Sequence, residues 1–323
     1  MEATNTVNKR MNWLDWMKAI GMYLIIYGHF TSYGHKFIYT FSAPLFFIMS
    51  GFLFKKEECF RTFIKKNLYN LLLPMIIMII LVQIRNNASY IVNGTFTFEQ
   101  FQHIVIGFLI GNQKMLGACW FIYTLFIIKL ILQILPGKKL FRIILLLLFS
   151  VGSIILSKNG IFARNAIVNV LLSYPFFFAG ILFKEHKPAI NNGFDTKYSI
   201  IVFFATSTIT YLCSRYNGNV WVFINDYGKS FLLYLLGGLS GTALIYIICK
   251  WLDNLNSSIV STISTGSIVI LGLHFSLIRY FKIYYETDWI SALVILLLFV
   301  PIIKFCEKRL PILIGIYRLN RDK

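Results

Sequence analysis

The chain has 323 residues, of which 57% are hydrophobic and only 14% charged. That balance excludes an ordinary soluble domain, in which roughly a quarter of residues carry charge. The net charge of +18 would suggest nucleic acid on a soluble protein, but the Lys and Arg residues fall between long apolar blocks. Cytoplasmic loops of membrane proteins collect such residues, and no compact basic and aromatic motif supports a nucleic-acid partner.

Apolar blocks of about 18 to 20 residues match a hydrocarbon core of about 30 Å. Ten spans are expected: 13–32, 37–55, 68–85, 117–135, 140–157, 165–183, 198–215, 229–250, 262–281 and 289–306. An even count puts both termini on one side. With that side cytoplasmic, the inner segments carry 21 Lys and Arg and the outer ones 9, with Lys129 inside a span. The bias supports the count and the orientation. The expected fold is therefore an all-α, polytopic membrane bundle of about ten helices with cytoplasmic termini, forming one domain over residues 1–323. No cleavable signal is expected, because the first block carries Asp15 and Lys18 and no small-x-small pattern follows it.

The first span reads Trp13-Leu14-Asp15-Trp16-Met17-Lys18 and runs to Tyr27-Gly28-His29. Lys18 and His29 are eleven residues apart, which places them on one helix face roughly 16 Å apart. Asp15 lies one turn before Lys18, where the two charges can pair. An imidazole inside an apolar span is costly and usually faces a wet cavity or the protein interior, so His29 is the leading candidate for chemistry. His35, just beyond, reads as a surface residue.

Span two contains Pro44 and the small step Ser50-Gly51, which suits close helix contact. The cytoplasmic segment after it carries Arg61, Lys65 and Lys66 beside Phe60 and Phe63, a pattern able to hold phosphate as well as to satisfy the positive-inside bias. The outer stretch 86–116, with Phe96, Phe98, Phe101 and His103, suits an interfacial or re-entrant helix. Trp120-Phe121 opens span four. Asn165, Asn169 and Ser173 form a polar stripe on span six, and Gly237 and Gly241 a packing step on span eight. Ser267 and His274 share a face of span nine.

The five cysteines are scattered without a CxxC pair, so free thiols are expected, with no metal site and no permanently bound cofactor. There is no GxSxG elbow, P-loop, HExxH or GxGxxG signature.

The stretch Leu14-Asp15-Trp16-Met17-Lys18, then His29, followed by Pro44-Leu45-Phe46-Phe47-Ile48-Met49-Ser50-Gly51-Phe52, resembles the acyltransferase-3 family of bacterial membrane O-acyltransferases. Lys18 and His29 match its motif of a basic residue, ten residues and a histidine. The basic stretch before Pro74, Trp120-Phe121, Phe176-Phe177-Phe178-Ala179-Gly180 and the Gly266 to His274 segment fit as well. The short chain is most similar to the fucose 4-O-acetylase-like branch. One departure stands out: Asn70 occupies a place where the family often has an arginine, and lysine cannot supply arginine's two-pronged fork.

The resemblance implies an inner-membrane O-acetyltransferase that uses cytoplasmic acetyl-CoA as donor substrate and a lipid-linked or cell-surface carbohydrate as acceptor. It implies His29 as general base, with Asp15 and Lys18 at the inner mouth. Arg61, Lys65, Lys66 and Ser50 fall on the donor side, and His274, Asn165, Asn169, Trp120 and His35 along the acceptor route. The rival expectation is a transporter or flippase for a polar or lipid-linked sugar, although no repeated halves are visible.

Overall fold

The computed structural model describes residues 10–30, 34–161, 164–192, 196–284 and 288–316. Lys9, Arg318, Arg321 and Lys323, which contribute to the charge bias, lie outside them. In chain order the helices are α1 (Asn12–Phe30), α2 (His35–Leu53), α3 (Phe60–Asn67), α4 (Leu73–Asn86), α5 (Ala88–Val92), α6 (Phe98–Leu109), α7 (Gln113–Leu116) and α8 (Trp120–Ile134). They continue as α9 (Lys139–Lys158), α10 (Val170–Asn192), α11 (Thr196–Asn217), α12 (Phe231–Trp251), α13 (Ser258–Thr265), α14 (Ser267–Tyr284) and α15 (Asp288–Arg309). Among the described residues the only extended pairings are the isolated bridges Asn112–Asn165 and Trp221–Asp226.

Helix α2 is the hub. It is apolar around its whole circumference and buried along most of its length, from Ile38 to Phe52, as expected of a helix surrounded by others. Against α10 the approach is backbone to backbone. A Cβ on Gly51 would sit 1.9 Å from the Phe177 carbonyl oxygen, and one on Gly180 would sit 2.0 Å from that of Ile48. On another side, α12 leans in through Gly237 and Gly241, where a Cβ would meet Thr40 and Phe41 side chains at 2.4 Å. The glycine step expected on that helix is thus a packing device.

Helices α1 and α2 run antiparallel: Trp13 packs on Phe52, Gly21 faces Phe46, and Gly28 faces Tyr39. The cations of α3 therefore lie at the Trp13 end of α1, and His29 at the far end, about 24 Å away along the axis at 1.5 Å per residue.

Helix occupies most of the described part of each stretch expected to be a span, although in the sixth it begins only at Val170. Among the described residues six helical runs are long and apolar enough to cross a membrane: α2, the α3–α4 run Phe60–Asn86, Gln113–Ile134, α9, α12 and α15. The α13–α14 pair, bent by 85°, brings this to as many as seven. Helix α9 shows why water is the wrong solvent: Leu140, Leu147, Leu148, Val151 and Ile155 are all more than half exposed, a patch that a soluble protein would not tolerate. The stretch 86–116 holds α5 and α6, the latter opened by a Thr97–Gln100 capping box. Phe98, Phe101, Ile106 and Leu109 on α6 are exposed, as on a helix lying at an interface.

The start of α1 corrects one expectation. Asp15 does not pair with Lys18. It accepts hydrogen bonds from Ser264 Oγ and from Arg10, which also donates to the Ser261 carbonyl and to Thr265 Oγ1. The acid thus ties α1 to the elbow between α13 and α14. Nearby, the Asp253 carboxylate accepts from the Trp13 N–H, Asn12 donates to the Asp253 and Leu255 carbonyls, and the Trp16 indole donates to Leu255. The helix's first turn, whose N–H groups lack intrahelical partners, is capped from elsewhere in the chain.

Gly51→Ala and Gly180→Ala should each cost about 1–3 kcal/mol through overpacking, and valine at either position should abolish the folded bundle, as checked by fluorescence-detected size exclusion and thermal melting. Asp15→Ala, which strands Ser264 and Arg10, should cost about 2–3 kcal/mol in the same melt.

Candidate functional site

A cavity of about 450 Å³ opens where the His29 end of α1 meets α2, α7, α8, α14 and the 220–223 loop. Helical spacing explains which side chains reach it. Helix α1 contributes Met22, Ile25 and His29, and α2 contributes Tyr39, Ser42, Ala43 and Phe46, each set on one face. Helix α14 adds Leu271, His274 and Phe275 in the same way. Met22 lies seven residues before His29, so the cavity follows α1 for about 10 Å toward its start.

Two imidazoles share this space. The rings of His29 and His274 stack at 5.3 Å between centroids, and Phe275 lies 4.4 Å from His29. His274 is 1% exposed. Its Nδ1 lies 3.0 Å from the Ile270 carbonyl and 2.9 Å from that of Leu271. Carbonyls only accept, so Nδ1 carries a proton and Nε2 is the nitrogen left over. Among the described residues Nε2 has no partner.

His29 Nδ1 lies 2.7 Å from the Tyr39 hydroxyl. When Nδ1–H donates to that oxygen, Nε2 is the basic nitrogen, which is the second-group orientation that makes a histidine useful as a base. Gly28 permits this contact, since a Cβ there would sit 2.8 Å from the Tyr39 ring. Tyr39 is braced in turn by His35, whose ring stacks on it at 3.9 Å, and both rings contact Trp221. His35 is thus a support for the tyrosine rather than a free surface residue.

The wall at the end away from the α3 cations, the outer wall of the cavity, is the short α7 and the segment before α10. The Gln113 N–H donates to the Arg164 carbonyl, and the Ala166 N–H to the Gly111 carbonyl. Gly117, at φ +53°, takes a backbone conformation that side chains resist. It turns the chain so that Trp120, which opens α8, lines the cavity.

The remaining expected residues scatter. Asn165 precedes α10 rather than lying on it, and its amide bonds the Ile110 carbonyl and the Ile167 N–H. It staples the outer wall. Asn169, fully buried, donates to the Phe223 carbonyl, behind the loop that lines the cavity. The expected stripe therefore faces protein. Arg61 and Lys65 share an open groove with Phe60 and Tyr69 at the opposite end of the bundle, whereas Lys66 turns to Glu57 at 2.6 Å. Ser50, partly buried on α2, lines neither space. Lys18 is also partly buried and does not line the cavity. Cys59, at the head of α3, is exposed, and backbone N–H groups of Thr62 and Arg61 hold its thiol below the ordinary value. All five cysteines are free.

Sequence reasoning missed Tyr39, Gln113, Lys114, Arg164 and Trp221. No motif marks them. Tyr39 carried one usable signal, its place three residues before the cavity-lining Ser42 on the same face as Phe46.

An apolar cavity that holds two imidazoles, sunk in a bundle of membrane-length helices, marks a multi-pass membrane protein. The chain belongs to the acyltransferase-3 family, whose model, described as an acyltransferase domain, matches residues 11–306. It is a multi-pass membrane acyltransferase. Comparison with curated proteins and with solved structures returned no match.

Tyr39→Phe, which removes one hydrogen bond to His29, should lower the rate of acyl transfer about 5- to 10-fold, the value of one such bond, without changing the melting temperature by more than a few degrees. A larger loss of both together would mean that Tyr39 supports the fold rather than the base.

Proposed function

We propose that this protein moves an acetyl group from cytoplasmic acetyl-CoA to a hydroxyl of a lipid-linked or cell-surface carbohydrate, in the manner of the fucose 4-O-acetylase-like branch of its family. The observation that carries the reading is the His29–Tyr39 pair at the cavity, with its second nitrogen available to the space beside His274. His29 Nε2 takes the proton of the acceptor hydroxyl. The oxygen attacks the thioester carbonyl, the C–O bond forms, the C–S bond breaks, and the imidazolium returns its proton to the CoA thiolate. General-base assistance of this kind contributes typically 10²- to 10⁴-fold.

The charge asymmetry supports the placement of the donor. Arg61 and Lys65 lie in a groove at the cation-rich end, where CoA phosphates would dock. The cavity's Met22–Ile25 side extends about 10 Å from His29 toward that end, the side from which the thioester arm would enter. In this reading the whole chain works as one domain in the plasma membrane, with ten spans and both termini cytoplasmic.

Membranes containing the protein should transfer label from [14C]acetyl-CoA to carbohydrate, and His29→Ala should reduce transfer at least about 100-fold while the protein still folds. Normal transfer by folded His29→Ala would remove the histidine from the mechanism. For the orientation, a membrane-impermeant maleimide should label Cys59 in inverted vesicles and not in intact cells. Because the thiol is held low, labelling should persist to a lower pH than for an ordinary cysteine.

A further inference from the structure

The cavity's outer wall has a chemistry that the transfer step does not use. Gln113 is 7% exposed and lines the cavity, yet neither its amide oxygen nor its amide nitrogen has a partner among the described residues. Leaving both atoms of a buried amide unmet costs free energy unless something else satisfies them. Beside it, Lys114 and Arg164 also line the cavity. Both are exposed, and neither forms an ion pair among the described residues. No Asp or Glu lines the cavity. The nearest acid in sequence to the lining loop, Asp226, turns its carboxylate to the Gly228 N–H.

The three residues are held as a unit. The Asn112–Asn165 bridge and the bond from the Gln113 N–H to the Arg164 carbonyl fix the two strips of backbone side by side. A cation from each strip and one buried amide therefore border the same space as the two histidines. Positive-inside charge does not account for them, since they sit at the end opposite the cation-rich one.

We infer that the outer wall recognises an acceptor sugar bearing an anionic group, a phosphate or a carboxylate, which Lys114 and Arg164 hold while the Gln113 amide takes a neighbouring hydroxyl. This rests on the transfer reaction above and specifies its acceptor class. Arg164 supplies the planar fork that suits either anion, and Lys114 adds a point charge. The amide, able to donate and accept, selects a hydroxyl as a greasy wall cannot.

The test is binding by the purified protein in nanodiscs, read from the fluorescence of the cavity tryptophans Trp120 and Trp221. The probes are N-acetylglucosamine 1-phosphate, glucuronic acid and neutral N-acetylglucosamine. At least one anionic probe should bind about tenfold or more tighter than the neutral sugar. A preference for the phosphate or for the uronic acid would name the source of the anion. The advantage should vanish in the K114Q/R164Q double variant and survive in K158Q, which removes an outer-end cation that does not line the cavity. Gln113→Leu, checked by melting to be folded, should weaken all three probes.

Equal binding of charged and neutral sugars would overturn the inference, as would an anion preference that survives K114Q/R164Q. CoA is the control for the other source of phosphate. If CoA affinity falls in K114Q/R164Q while sugar binding does not, these cations serve the donor and the inference is wrong. Failure of the transfer reading is separately visible, as absence of label transfer from acetyl-CoA in membranes whose protein keeps the anion preference.

Discussion

The bundle depends on how closely helices can approach α2. Two glycines on facing helices, Gly51 and Gly180, bring main chain against main chain at distances no side chain permits. In a bilayer the apolar solvent gives helices little reason to associate by hydrophobicity, so tight packing at small residues supplies much of the attraction. With α10 on one side and α12 on another, α2 becomes a fixed wall. That wall holds Tyr39 still against His29.

From this constraint the site follows. Glycine at position 28 admits the tyrosine ring, the tyrosine oxygen orients one imidazole, and two backbone carbonyls orient the other. Among the described residues both histidines thus have one nitrogen engaged by the protein and one remaining. Such second-group contacts fix the orientation of a costly polar residue within an apolar helix. The Asp15–Ser264 bond belongs to the same scheme at the other end of α1, where it anchors the elbow from which α14 carries His274 into the bundle.

Much of this was legible before the fold. Hydrophobic block length announced the helices, and the eleven-residue spacing from Lys18 to His29 pointed to one face. The glycine pair on α12 read correctly as packing. What could not be read was partnership. Asp15 and Lys18 have the spacing of an ion pair, yet Arg10 and Ser264 take the carboxylate because the α13–α14 elbow arrives there. Asn165 and Asn169 have the spacing of a cavity stripe, yet the helix begins only at Val170, and both amides bond the backbone of other segments. Arg61, Lys65 and Lys66 look equivalent in sequence, and Glu57 takes one of them.

The sequence by itself determined the class of protein and singled out His29 as a candidate. Length, apolarity and spacing are local properties, and the cost of burying charge in lipid makes them decisive for helices and for an imidazole such as His29. Tertiary structure alone decided the site. His29 and His274 are 245 residues apart in the chain and stack in one cavity, and Gln113, Lys114 and Arg164 meet only because two loops pair across its outer end. Contacts at that separation depend on which helices pack together, and no local pattern in the chain encodes that.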